Sequence, residues 1–177
     1  MRAKGRAGVI AGLGAVIGVW ASAPAPAQVV AFGASNVSGY GVDPSQNFVS
    51  VLQAMLQDKG YRVRVVNAGI YGNTAPQMLA RLDADTPAGT TVVILDQTGG
   101  PFNDAFHRIS SAKAQADMAE ITARLKARGV VVIPMSGASL PREDHQADGA
   151  HLNVAGHRLI AAQLLPQVMA ALGPPPR

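Results

Sequence analysis

The chain has 177 residues, of which 48% are hydrophobic and 15% charged, enough to bury one sizeable core and too few for two full domains. The formal net charge is +4, but Arg2, Lys4 and Arg6 supply three of the basic residues. The net charge of the rest of the chain is small, and its basic residues form no stripe that would favour a nucleic-acid partner. The sequence contains no cysteine, which excludes a disulfide framework, a thiolate nucleophile and a cysteine-bound metal.

The first 27 residues have the pattern of a secretory signal peptide. A cationic segment, Met1–Arg6, precedes an apolar run, Ala7–Ala21, and the residues Ala25 to Ala27 (APA) form an A-x-A cleavage site. The apolar run is shorter than the roughly 20 residues that span a bilayer. The pattern therefore predicts cleavage after Ala27, no stable membrane anchor, and a single mature domain, 28–177, that acts in the periplasm or outside the cell.

Strand and helix patterns alternate along this mature domain. Gln28–Gly33 is a short apolar run closed by glycine, which is typical of a buried strand. Asp43 and Pro44 predict a helix start, with Gln46 at the capping-box position and Gly60 at the end of the helix. Later patterns predict strands at Arg62–Asn67, Thr91–Asp96 and Val130–Met135, and helices at Thr74–Asp85, at Ser111–Arg128 and from Asn153 through Leu164.

Such alternation predicts an α/β fold with a parallel sheet and helices on both faces. In these sheets the ligand lies beyond the carboxyl ends of the strands. The chemistry is therefore expected in the segments that leave those ends: Gly33–Tyr40, Asn67–Thr74, Asp96–Phe106 and Ser136–His151.

Each of these segments carries a residue that acyl transfer requires. Ser35 directly follows the first strand, but a serine hydroxyl needs a base to become a good nucleophile. Asp148 and His151 are three residues apart, so the carboxylate can reach a ring nitrogen and orient the imidazole as that base. A backbone N–H at Gly72 and the side-chain amide of Asn103 are candidates to join the Ser35 N–H around a developing oxyanion.

Four motifs in this order resemble the SGNH (GDSL-type) hydrolases, and most closely the small periplasmic esterases of the multifunctional thioesterase and lysophospholipase type. They are FGASNVSGYGV, NAGIYGNTAPQMLARLD, GGPFND and ADGAHLN. The resemblance implies a flavodoxin-like three-layer α/β/α sandwich with a central parallel sheet of four to five strands. It also implies a triad of Ser35, His151 and Asp148, an oxyanion hole from Ser35, Gly72 and Asn103, no metal or cofactor, and a small ester or thioester substrate.

Two departures from the family pattern leave a second function open. The family usually has Gly-Asp-Ser in the first motif, where this chain has Ala34 before Ser35, and in the third motif Pro101 and Phe102 separate the glycine pair from Asn103. A non-catalytic ligand-binding protein with the same fold is the alternative.

A nucleotide- or flavin-binding domain is a third hypothesis, because Gly33–Ser38 could cradle a phosphate. The sequence disfavours it, since both G-x-G-x-x-G and the Walker pattern are missing. Among the other residues, His145 and His157 compete with His151 as the base, and His107 is a candidate to line the cleft. Asp96 is interpreted as a strand-end residue that bonds backbone amides or arranges the oxyanion loop.

Overall fold

Four parallel strands form the centre of the protein. The structure is a computed structural model that describes residues 28–175. The strands are β1 (Gln28–Gly33), β2 (Arg64–Gly69), β3 (Thr90–Asp96) and β4 (Val131–Met135). They lie in the order β2-β1-β3-β4 and pair in parallel throughout, which confirms the predicted parallel sheet.

Six helices accompany the strands within the described range. They are α1 (Ser35–Ser38), α2 (Phe48–Asp58), α3 (Ala75–Asp85), α4 (Gly99–Phe106), α5 (Ser111–Ala127) and α6 (Val154–Leu172). None of the described helices is both long and apolar enough to cross a bilayer. The proposed signal peptide, residues 1–27, lies outside the described residues.

Each face of the sheet has its own hydrophobic core, because successive side chains of the central strands point to opposite faces. In β1, Val29 and Ala31 belong to the core that α2 and α6 cover. Val30 and Phe32 belong to the opposite core, which α3 and α5 cover. All four side chains are fully buried. The predicted three-layer α/β/α sandwich is therefore confirmed.

Three details of the helices differ from the sequence predictions. The last helix, predicted through Leu164, continues past Pro166 to Leu172. The helix predicted to start at Asp43 and Pro44 is only a turn of 3₁₀-helix, Pro44–Gln46, and α2 begins at Phe48. The reason is Asn47, whose extended backbone interrupts the helix while its side chain accepts a hydrogen bond from the Val49 N–H. The segment Asp96–Phe106, predicted only as a loop, contains α4.

His157 on α6 is buried in the core and makes stability depend on pH. Its Nδ1 accepts a hydrogen bond from the Phe48 N–H at 3.3 Å, and its Nε2 is buried without a partner among the described residues. Burial lowers the pKa of His157 to about 4, because an imidazolium loses its hydration there.

The free energy of unfolding is expected to fall as the pH drops from about 6.5 towards 4. The unfolded histidine, with a pKa near 6.5, takes up a proton before the folded one does, at a total cost of about 3 kcal/mol. Urea unfolding of the wild type and of His157→Leu at a series of pH values measures this. The variant is expected to be less stable at neutral pH but to lose less stability on acidification. Parallel pH curves for the two proteins would contradict the assignment.

Candidate active site

The proposed nucleophile, Ser35, lies at the carboxyl edge of the central strand β1. Its backbone starts the four-residue helix α1, and the residue is 9% exposed. The neighbouring strand β2 ends at Gly69, where a Cβ atom would lie 2.1 Å from the Ser38 nitrogen. Glycine is therefore required at position 69 for α1 to pack against the end of β2.

Asp148 and His151 form a hydrogen-bonded pair. The carboxylate Oδ2 lies 2.6 Å from Nδ1 of His151, and Oδ1 accepts hydrogen bonds from the backbone N–H groups of Ala150 and His151 at 2.9 and 3.0 Å. The hydrogen bond with the His151 side chain, followed by those from the two backbone groups, holds the pKa of Asp148 well below its usual range. Asp148 is therefore ionised at neutral pH and favours the tautomer that carries the proton on Nδ1.

Ser35 and His151 line one cavity of about 360 Å³. One part of its wall is apolar and is formed by Phe102, Ala138 and Leu140. Asp148 lies behind His151 and does not line the cavity. The cavity wall thus contains a serine hydroxyl and an imidazole that is hydrogen-bonded to a carboxylate.

The other three histidines lack such an arrangement. His145 lines the same cavity, but its two ring nitrogens lie 2.9 and 3.2 Å from the carbonyl oxygens of Pro141 and Gly137. His157 is buried in the core. His107 is exposed at the end of α4 and does not line the cavity. Of the histidines in the described part of the chain, only His151 pairs with a carboxylate.

Gly72 and Asn103, the other proposed oxyanion donors, belong to segments that contact each other. Gly72 has a left-handed φ of 73°, which glycine adopts without strain. The Asn103 side chain donates a hydrogen bond to the Asn73 carbonyl at 2.8 Å, and the adjacent Asp104 accepts one from the Ala75 N–H at 3.0 Å. These two bonds attach α4 to the segment that follows Gly72. Neither Gly72 nor Asn103 belongs to the cavity wall.

Two tyrosine rings that sequence reasoning missed flank His151. The ring of Tyr40 lies 4.5 Å from the imidazole between centroids, and Tyr71 stacks on Tyr40 at 4.6 Å. Both are exposed, by 45% and 59%. The sequence signal that could have identified them is their position in the predicted loops Gly33–Tyr40 and Asn67–Thr74, because both loops leave strands at this edge of the sheet.

Asp96 lies directly beside the nucleophile segment. It is fully buried at the end of β3 and accepts hydrogen bonds from the N–H groups of Ala34, Thr98 and Gly99, at 3.4, 3.0 and 3.0 Å, and from the Thr98 hydroxyl at 3.1 Å. The prediction that Asp96 bonds backbone amides is confirmed. Its carboxyl group therefore bonds to the backbone of Ala34, the residue directly before Ser35.

A model of the GDSL-like lipase/acylhydrolase family matches residues 31–146. The chain belongs to this family. The match contains Ser35, Gly72 and Asn103 and ends just before Asp148, so the assignment of Asp148 and His151 depends on the geometry described above.

Individual relatives agree with this family. Esterase TesA of Pseudomonas aeruginosa is 36% identical over 109 residues, which are 62% of this chain and 53% of that protein. The chain thus matches about half the length of that curated relative. A crystal structure of a protein named TesA superposes with a TM-score of 0.68 at 25% identity, covering 81% of this chain and 99% of the crystallised chain. The psychrotrophic esterase EstA from Pseudoalteromonas sp. shares the fold, with a TM-score of 0.69 at 18% identity over 82% of this chain and 98% of EstA.

Proposed function

We propose that the protein is a serine esterase that hydrolyses carboxylic esters or thioesters through an acyl-enzyme. The observation that carries the proposal is the shared cavity of Ser35 and His151, with Asp148 2.6 Å from the far ring nitrogen of His151. Membership of a family of lipases and acylhydrolases, and the similarity to Esterase TesA, support the same reaction class.

In the first half of the reaction, the Ser35 Oγ attacks the carbonyl carbon of the ester. His151 takes the hydroxyl proton on Nε2, while Asp148 retains the hydrogen bond at Nδ1 and stabilises the imidazolium. The tetrahedral intermediate then collapses. The bond to the alcohol or thiol breaks, His151 returns the proton to this leaving group, and the acyl group stays on Ser35.

Water completes the cycle by the same route. His151 removes a proton from a water molecule as its oxygen adds to the acyl carbon. Collapse of this second intermediate breaks the bond between the acyl carbon and the Ser35 Oγ, His151 returns the proton to the Oγ, and the carboxylic acid is released. In both halves the oxyanion is assigned to the backbone N–H groups of Ser35 and Gly72 and the side chain of Asn103. Within the described residues neither of these backbone N–H groups donates a hydrogen bond to the protein. The bond from Asn103 to the Asn73 carbonyl uses one amide hydrogen and leaves the second for the oxyanion.

The apolar part of the cavity wall favours a substrate with an apolar acyl group of moderate size. Phe102, Ala138 and Leu140 supply the apolar wall, and burial of each methylene there is worth about 0.8 kcal/mol. A leaving group must lie beside His151, which protonates it, and therefore close to Tyr40 and Tyr71.

Rapid mixing with p-nitrophenyl butyrate is expected to release a burst of nitrophenolate close to one equivalent if deacylation is slower than acylation. A fluorophosphonate is expected to abolish turnover and to add its mass to the peptide that contains Ser35. Ser50→Ala, which removes an exposed hydroxyl on α2, is the control and keeps both properties. A protein that binds the ester without releasing nitrophenolate and leaves Ser35 unlabelled would instead support the non-catalytic binding protein.

A further inference from the structure

Asn36, which follows Ser35 in α1, makes two hydrogen bonds with the loop that carries His151. Its Oδ1 accepts a hydrogen bond from the Leu152 N–H at 2.9 Å. Its Nδ2 donates to the carbonyl of Ala150 at 3.3 Å. Asn36 therefore holds the backbone on both sides of His151, across 114 to 116 positions of sequence.

Other hydrogen bonds of this loop do not perform the same task. Those of Asp148 join it to Ala150 and His151 and are local to the loop. Gln146 donates to the carbonyl of Tyr40 at 2.7 Å and also joins the loop to the nucleophile segment, but Tyr40 lies five residues from Ser35. Asn36 is the immediate neighbour of the nucleophile, so its two bonds connect the backbones that carry Ser35 and His151 by the shortest route.

We propose that Asn36 is a positioning residue that sets the place of His151 relative to Ser35. The inference rests on the proposed serine-esterase function. A carboxamide suits this role because it offers one acceptor and one donor, matching the N–H of Leu152 and the C=O of Ala150. Asp148 orients the imidazole within its own loop, whereas Asn36 fixes that loop to the element that carries the nucleophile.

Asn36→Leu, which is similar in size but makes neither bond, is expected to lower kcat by about 10 to 100-fold, since a displacement of about 1 Å can cost 10²-fold. Asn36 itself lines the cavity, but KM is expected to change less than kcat, because the apolar wall of Phe102, Ala138 and Leu140 remains. Asn36→Asp keeps an acceptor for Leu152 and loses the donor to Ala150, so its kcat is expected to lie between those of the wild type and Asn36→Leu. Asn67→Leu is the matched control, because Asn67 is an exposed residue of β2, the strand next to β1, and its side chain bonds only with the Gly69 N–H among the described residues.

The decisive measurement is a double-mutant cycle of Asn36→Leu with His151→Ala on a p-nitrophenyl ester. If Asn36 acts through His151, Asn36→Leu lowers the wild-type kcat but leaves the residual kcat of His151→Ala unchanged. The same fold-loss in both backgrounds overturns the proposal, because Asn36 then acts on the substrate or on the fold. An Asn36→Leu enzyme with wild-type kcat overturns it too. If His151→Ala is itself fully active, His151 is not the base and the role of Asn36 fails, whereas the serine-esterase function itself fails only if Ser35 is also left unlabelled and no burst is released.

Discussion

Replacement of Ser35 or His151 by alanine is expected to lower kcat by about 10⁴-fold or more. Ser35 supplies the electron pair that forms the acyl-enzyme, and His151 removes the proton that makes this electron pair available. Because the two groups act as one unit, the double variant is expected to be scarcely slower than either single variant. Steady-state kinetics on a short-chain p-nitrophenyl ester measure all three losses.

His145→Ala is the matched control for His151→Ala. His145 lines the same cavity, but the carbonyl oxygens of Pro141 and Gly137 face its ring nitrogens. Its replacement is expected to cost less than tenfold in kcat, an order-of-magnitude allowance for lost local packing. An active His151→Ala enzyme together with an inactive His145→Ala enzyme would transfer the role of base to His145, and multiplicative losses in the double variant would show that Ser35 and His151 do not act together.

The strands could be predicted from the sequence because burial on two faces requires continuous apolar runs. Gln28–Gly33 has the same limits in the structure, and Val130–Met135 differs by one residue at its start. The predicted Arg62–Asn67 is displaced by two residues from the observed β2, Arg64–Gly69, an edge strand with no fully buried residue. Since parallel strands end at one edge, their order along the chain also indicated which loops meet there. The edge that carries Ser35 was therefore predictable without knowledge of any contact.

Features that depend on tertiary contacts could not be predicted in this way. The helix expected after Asp43 is interrupted because the side chain of Asn47 also donates to the distant carbonyl of Val37. The bonds of Asn36 span more than 110 positions of sequence, and no local pattern indicates them. The residue type of Asp96 and its position at a strand end predicted hydrogen bonds with backbone N–H groups. They did not indicate that the N–H of Ala34 would be one of these partners.

Asp96 is the residue outside the proposed triad whose replacement is expected to have the largest effect. Its carboxyl group is fully buried and receives the N–H groups of Ala34, Thr98 and Gly99 together with the Thr98 hydroxyl. The surroundings are tight, since a Cβ atom on Gly99 would lie 2.4 Å from the Asp96 Oδ2 and one on Gly33 2.3 Å from the Asp96 Cβ. Asp96 thus joins the backbone before Ser35 to the start of α4, which carries Asn103.

Asp96→Leu is expected to lower the free energy of unfolding by about 2 to 4 kcal/mol, because it leaves buried donors unpaired. It is also expected to lower the kcat of the folded enzyme by about 10²-fold through displacement of the nucleophile segment. Asp58→Asn, at an exposed position near the end of α2, is the control and is expected to change the free energy of unfolding by less than about 0.5 kcal/mol. Urea unfolding gives the stability, and kinetics at a temperature where each variant is folded give kcat.

Transfer of the carboxyl group to position 34 tests whether Asp96 replaces the acid that the family usually carries there. Ala34→Asp alone would place two carboxyl groups together in a buried site, and it is expected to be at least as destabilising as Asp96→Leu, because one of them must be protonated or displaced. Ala34→Asp combined with Asp96→Ala leaves a single carboxyl group against the same N–H groups. This double variant is expected to be more stable and more active than either Ala34→Asp or Asp96→Ala alone. If its losses instead equal the sum of the two single losses, the carboxyl groups at positions 34 and 96 do not perform the same task, and the role of Asp96 is limited to the turn of Thr98 and Gly99.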